Sequence, residues 1–312
     1  MSGLHLIPVG ISLQFIPKRK MFFIASAVII IASIFLFLGK SLNYGIDFKG
    51  GIMIEVKTQG PANIGAMRET LSGLGLGAVE LQEFGAVDTV LIRVQRQPGG
   101  DQAQDPAVQK VKLALGANVD YRRTETVGPK ISDELFWSGV QAVLFAIVAI
   151  MIYIWFRFEW QFGIGAIIAL SHDVISTIGL FALFQFEFNL STVAAVLTIA
   201  GYSINDTVVV YDRVRENLRK YKSLPFTDLL NRSINETLSR TVITSVTTLL
   251  ALFALYFLGG EVIRDFSFAM IWGVLIGTYS SICLAVPLLL YLNVNRGTGA
   301  SQTQVEATEQ TS

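Results

Sequence analysis

Long apolar runs separated by short polar joints fill most of the chain, and one extended stretch breaks that rhythm. The runs cover residues 21–39, 136–156, 162–184, 190–211, 241–258 and 266–292. Each is close to the roughly 20 residues that a helix needs to cross a bilayer core. Residues 40–134 instead mix charges, turn formers and short alternating segments, so this is the part able to fold in water. A strand is expected at Ile52 to Val56, then a helix near Pro61 to Gly73 with Pro61 close to its first turn. Strands follow at Ala78 to Glu83 and Thr89 to Gln95, parted by Gly85 and Asp88, and Val90, Ile92 and Val94 mark one buried face. A loop over 98–105, a helix over Gln104 to Leu115 and a strand over Val119 to Val127 complete a βαββαβ order. That order predicts a ferredoxin-like sandwich. The fold class is therefore a polytopic α-helical membrane protein with six transmembrane helices and one α+β ferredoxin-like domain between helices 1 and 2.

Composition narrows the classes further. The chain is 52% hydrophobic and 15% charged with mean hydropathy +0.54, too apolar for a water-soluble protein of 312 residues. The formal net charge is +0, which leaves no general basic field for nucleic acid. The basic residues mark orientation instead. Lys18, Arg19 and Lys20 precede the first run, Arg157 follows the second, and Arg213, Arg215, Arg219, Lys220, Lys222 and Arg232 follow the fourth. The joint at 185–189 has no basic residue and that at 259–265 has only Arg264. This asymmetry predicts both termini in the cytoplasm and the soluble domain outside it. A cleaved signal peptide is the rival reading of the first run, but no clear A-x-A pattern follows before Asn43, so an uncleaved helix is expected. The tail at 293–312 is rich in small polar residues and is expected to be disordered.

Little points to enzymatic chemistry or to a cofactor. Cys283 stands alone in an apolar run, and His5 and His172 are too far apart for a helical metal-ligand pair. Gly39, Lys40 and Ser41 spell the end of a phosphate-binding loop, yet the position five before Gly39 is Ile34. An energy source other than a nucleotide bound to this chain is expected.

The chemistry lies in polar residues at membrane depth. Asp206 sits about 18 residues into the fourth run, roughly 27 Å along a helix. Arg240 comes to nearly the same level on the fifth. A charge there costs about 2.5–3.5 kcal/mol on insertion scales, so it calls for a partner or a task. Arg240, Thr244 and Thr247 follow i, i+4, i+7 and would face a bundle interior or wet cavity, with Ser203, Asn205 and Asp206 opposite. Two readings stay open. Asp206 and Arg240 form a permanent ion pair, or Asp206 takes up and releases a proton as that contact is made and broken. His172 and Asp173 form a second candidate, as a structural helix-to-helix hydrogen bond or as part of the same path. Glu159, Asp212 and Glu216 read as solvated. Gly273, Gly277 and Ser281 make a small-residue stripe, for packing within the chain or for a partner seam. Pro287 is expected to kink the last helix.

Three segments carry a family resemblance: NYGIDFKGGIMIEV at 43–56, VLTIAGYSINDTVVVYDRVREN at 196–217 and LSRTVITSVTTLLALFALYFLGG at 238–260. In this order and topology the chain, from about Lys18 to Leu292, resembles the SecF family of protein-export membrane subunits, in the SecD/SecF group of the resistance-nodulation-division superfamily. The resemblance implies a bacterial inner-membrane location and a periplasmic setting for the soluble domain. It also implies partners, namely SecD as a separate chain, the SecYEG channel, YajC and YidC, with an unfolded preprotein as substrate. It implies use of the proton-motive force in late export, with Asp206 and Arg240 as the charges on which ion coupling depends and His172 and Asp173 at the family's third-span polar positions. Asn205 and Thr244 join that ion-coupling set and Gly201 the family signature, each within the matching segments. Gly45, Asp47, Gly50 and Gly51 match the signature leading into the periplasmic domain, where a glycine turn feeding a strand is the plainer reading. A small-molecule or lipid exporter of the same superfamily and a purely structural scaffold are the alternatives.

Overall fold

The computed structural model describes residues 13–116, 119–260 and 263–294. The expectations for His5 and for the tail from residue 295 onward lie outside these. Among the described residues six helices are long and apolar enough to cross a membrane. They are α1 (Arg19–Lys40), α5 (Pro129–Arg157), α6 (Trp160–Phe184), α7 (Leu190–Lys220), α8 (Phe226–Leu258) and α9 (Arg264–Ser280), the last prolonged by further helical turns to Tyr291. Between α1 and α5 lie β1 (Asn43–Tyr44), α2 (Ile46–Lys49), β2 (Gly51–Thr58), α3 (Ile64–Ser72), β3 (Val79–Phe84), β4 (Ala86–Val94), α4 (Gln104–Leu115) and β5 (Val119–Val127). A short β6 (Glu187–Phe188) joins α6 to α7.

The sheet runs β3-β4-β2-β5 and is antiparallel throughout, the strand order of a ferredoxin-like sandwich. Period-two alternation divides its two faces. Ile52, Ile54 and Val56 of β2 with Val90, Ile92 and Val94 of β4 are buried with Met67, Leu71, Val108 and Val111 of the two helices. Each such fully buried aliphatic side chain is worth about 1.5–3 kcal/mol. The intervening residues Met53 and Leu91 turn the other way and meet Ile46.

Several boundaries differ from expectation for local reasons. The first domain helix starts at Ile64, after Pro61, because the Asn63 side chain accepts the Ala66 N–H and caps it. Residues 101–103 form a 3₁₀ turn leading into α4, within the stretch expected to be loop. Residues 129–134 belong to α5, with Pro129 in its first turn. α7 and α8 extend well past the apolar runs, so the joint between them is only 221–225 and Arg213, Arg215, Arg219, Lys220 and Arg232 ride on helices. Those extensions are amphipathic. Val210, Val214, Leu230 and Ile234 pack into the core while the charges face outward. Asp212 pairs with Arg157 and Glu216 with Arg213 at partly exposed positions.

The domain is held to one end of the bundle by contacts that no local pattern announced. β1 pairs in parallel with β6, Asn43 opposite Glu187 and Tyr44 opposite Phe188. Arg93 of β4 forms an ion pair with Glu187, both side chains largely buried, and the Glu187 N–H donates to Asp265 Oδ2 at 3.3 Å. Removing the guanidinium strands a carboxylate beside Asp265. Arg93→Ala is therefore expected to weaken the docking by about 1.5–3 kcal/mol, the range for hydrogen bonds to charged groups. The check is hydrogen exchange, with faster exchange at residues 43–44 and 187–189 and unchanged protection of β2 and β4. Uniform protection throughout would show that the pair does not hold the domain.

Candidate functional site

Among the described residues two carboxylates are buried in the bundle, Asp173 and Asp206, and the structure places them in different company. Asp173, on α6, is fully buried. Its Oδ2 accepts from Ser203 Oγ of α7 at 2.5 Å and from Ser280 Oγ of α9 at 2.7 Å, while its Oδ1 lies 3.0 Å from Nδ1 of His172. One side chain thus ties three helices together. The Ser176 and Thr177 hydroxyls, at 2.9 and 2.8 Å, donate to its backbone carbonyl.

Close helix crossing makes this possible. A Cβ on Gly273 would overlap Ile199, and one on Gly277 would press on Ser203, so α9 meets α7 along its glycines. The small-residue stripe therefore serves packing inside the chain. A π-helical turn at Ser281–Ala285, just ahead of Pro287, then rephases the last helix. Successive residues Ser280 and Ser281 both find inward partners, Ser281 sharing a 2.8 Å hydrogen bond with Thr207 of α7.

Asp206, also on α7, is buried but only half satisfied. Its Oδ1 accepts from Thr241 Oγ1 of α8 at 2.8 Å, and its Oδ2 has no partner among the described residues. The expected ion pair with Arg240 is not formed, because the residue that α8 turns toward α7 is Thr241 and Arg240 lies about 100° further round that helix. Arg240, Thr244 and Thr247 are exposed on the side of α8 that no described element covers, not in a bundle interior as expected. Asn205 is exposed too, on a stripe of α7 with Ala194, Thr198 and Gly201 at spacings of three and four. A Cβ on Gly201 would meet nothing within 4 Å. The buried line of α8 runs through Thr237, Thr241 and Ser245. The helix and the height are those expected, but the contact to Asp206 comes from this hydroxyl line and not from the charged stripe.

The residues of the 45–51 signature are structural joints. Asp47 Oδ2 accepts the N–H of Leu190, the first residue of α7, at 2.9 Å, and so caps that helix beside the Asn189 capping box. Gly50 and Gly51 hold φ of +69° and +129°, and a Cβ on Gly51 would strike the carbonyl of Val94. Side chains are excluded at this turn into β2. Gly45 packs its Cα against Glu187 and Asn189.

A bundle of six apolar spans with buried carboxylates in its interior and one docked α+β domain defines a multi-pass membrane protein. The model for "Protein export membrane protein SecD/SecF, C-terminal" matches residues 107–295 and that for the "SecD/SecF GG Motif" matches residues 35–62. The chain belongs to the SecD/SecF protein-export family and has the role of a SecF-type subunit in Sec protein translocation. It is 47% identical over 308 residues to protein translocase subunit SecF of Rhodobacter capsulatus, covering 94% of this chain and 92% of that one. It is 46% identical over 294 residues to SecF of Rickettsia bellii, covering 92% and 95%. Its fold matches the crystal structure of SecDF from Thermus thermophilus with a TM-score of 0.82 and 36% identity, over 92% of this chain and 39% of that one. A SecDF structure in a super-membrane-facing form matches at 0.67 and 35%, over 98% and 41%. The chain thus spans about two fifths of those SecDF chains.

Proposed function

We propose that this subunit couples ion movement to the late steps of preprotein export, acting without enzymatic chemistry of its own. It would do so against a SecD-type partner in the bacterial inner membrane, with both termini in the cytoplasm and the sheet domain on the periplasmic side. The observation that carries the reading is the Asp206 carboxylate, with one oxygen on Thr241 and the other free, one residue from where α8 exposes Arg240. A charge at membrane depth with its partner turned away has room to change state. A permanent ion pair, the structural alternative, would use both oxygens. Asp173 supports the same proposal differently. Its three side-chain partners make it the fixed post of the bundle, and the α7 that carries Ser203 also carries Asp206.

The exposed polar stripes of α7 and α8 support a second set of helices as the missing wall. The two matched SecDF chains hold more than twice the length matched here. Two such structures match this chain at nearly equal identity but with TM-scores of 0.82 and 0.67, which supports more than one arrangement among relatives. Protonation of Asp206 would change how α7 and α8 pack, and the domain docked through Arg93 and Glu187 would follow. Contacts with SecYEG, YajC and YidC belong to this proposal as well. Infrared difference spectroscopy of the working complex tests it. The expected result is a protonated-carboxyl band that appears and disappears with turnover and is missing in Asp206→Asn; a spectrum that carries no such band overturns the reading.

A further inference from the structure

The wedge between α1 and α6 lies on the outer flank of the polar interior. At the end near the sheet domain the two helices touch, and a Cβ on Gly179 would overlap Ser33. Toward the other end they part and leave a cavity of about 530 Å³, lined by Ala27 and Ile31 of α1 and by Ile168, His172 and Ile175 of α6. Its wall is almost wholly apolar and it is open on the outer side of the bundle. Ser26, which also lines it, shares a hydrogen bond with Tyr279 of α9 at 3.0 Å. α1 buries few of its residues in the chain, so nothing else described covers this side.

The mouth of the wedge has a definite chemistry. Lys20, Phe23, Ala27 and Ile31 follow one another at spacings of three and four, so Lys20 stands on the face of α1 that lines the cavity, two turns before Ala27. Trp160, Ile164, Ile168 and Ile175 share a face of α6 in the same way, and Trp160 is 60% exposed at its end. No described acid pairs with Lys20, which is exposed. An ammonium and an indole at the end of an apolar slot match a lipid with an anionic headgroup and an acyl tail.

We propose that the α1–α6 wedge is a binding site for one anionic phospholipid, its phosphate at Lys20 and Trp160 and one acyl chain lying over Ala27, Ile168 and His172. The chain wedges the two helices apart along the flank of the Asp173 network, since His172 both lines the slot and holds Asp173. A neutral lipid fills the slot without the headgroup contact and is held more weakly.

Native mass spectrometry of the full chain in detergent tests this, with phosphatidylglycerol or phosphatidylcholine added at equal ratio. One phosphatidylglycerol per chain should be retained, about five-fold over phosphatidylcholine, the scale of one basic side chain beside an anionic surface. Lys20→Glu should bring the two lipids level, and Ala27→Trp should displace both by filling the slot. Ala25→Trp, about 200° round α1 from Ala27 and exposed, should leave retention unchanged and shows that a tryptophan there does not unfold the helix. Equal retention of the two lipids by the unaltered chain, or full phosphatidylglycerol retention by both Lys20→Glu and Ala27→Trp, overturns the proposal.

Discussion

Asp206→Asn is expected to lower preprotein export by energised inverted vesicles by about an order of magnitude, toward the level seen when the ion gradient is collapsed. One charge crossing the membrane is worth roughly 2.3 kcal/mol per 100 mV. That is about a forty-fold bias on any equilibrium it drives, since 1.4 kcal/mol is a factor of ten. An amide at this position forfeits all of it. What makes the substitution informative is how little else it disturbs. The amide oxygen can still accept from Thr241 Oγ1, now 2.8 Å from the carboxylate, and the volume is nearly the same. The free Oδ2 becomes an NH₂, with no protein partner to lose. Bundle stability and association with the partner subunit should therefore match the unaltered protein, and export without a gradient should be equal in the two. Unimpaired export under a gradient, with normal assembly, would remove ion coupling at Asp206 and leave the scaffold reading. Comparison of proton and sodium gradients in the same vesicles identifies the ion.

The sequence carried the fold further than it carried the site, and the reason is the range over which each is encoded. Hydrophobic run length and period are local, so six spans and a βαββαβ domain were legible, down to the bounds of Gln104–Leu115 and Val119–Val127. Helix ends set by side-chain geometry were less so. No continuous apolar run extends α7 to Lys220, yet a buried line through Val214 and Asn217 does. The candidate site depends on helix phase and crossing. Asp206 and Arg240 were rightly put at one height, but an offset of one residue on α8 separates a contact with Thr241 from one with Arg240. Asp173 read as a helix-to-helix contact or as part of the ion path, while its partners Ser203 and Ser280 lie 30 and 107 residues away along the chain. Ser280 reaches it only next to a π-helical turn that the apolar pattern of the last run does not betray. The 45–51 signature went the other way. Its glycines read as a turn, and they are one, but the cap that Asp47 places on α7 needs the folded joint to be seen.

Two helix glycines should behave oppositely when enlarged, and the contrast tests which surfaces of α7 and α9 are finished. Replacing either glycine by leucine gains helix propensity of roughly 0.8–1.0 kcal/mol, so that term cancels between the two. At Gly273 the new side chain would be driven into Ile199 at the closest crossing of α9 on α7. Overpacking of this kind costs about 1–3 kcal/mol, and more where backbones already touch. Gly273→Leu should therefore lower the melting temperature and yield of the isolated chain in detergent. At Gly201 the leucine would enter open space on the stripe with Ala194, Thr198 and Asn205, and the isolated chain should melt at or slightly above its original temperature. In the assembled complex the same leucine would stand in the seam where small residues let a partner helix approach. Co-purification of the SecD-type subunit should then fall about tenfold, the equivalent of some 1.4 kcal/mol. Should Gly201→Leu keep its partner in full, the exposed stripe of α7 is not the seam and the missing wall lies against α8 alone. If Gly273→Leu instead melts like the unaltered chain, α7 and α9 do not cross as closely as their glycines allow, and the hydrogen bonds that Ser203 and Ser280 bring to Asp173 lose the geometry that holds them.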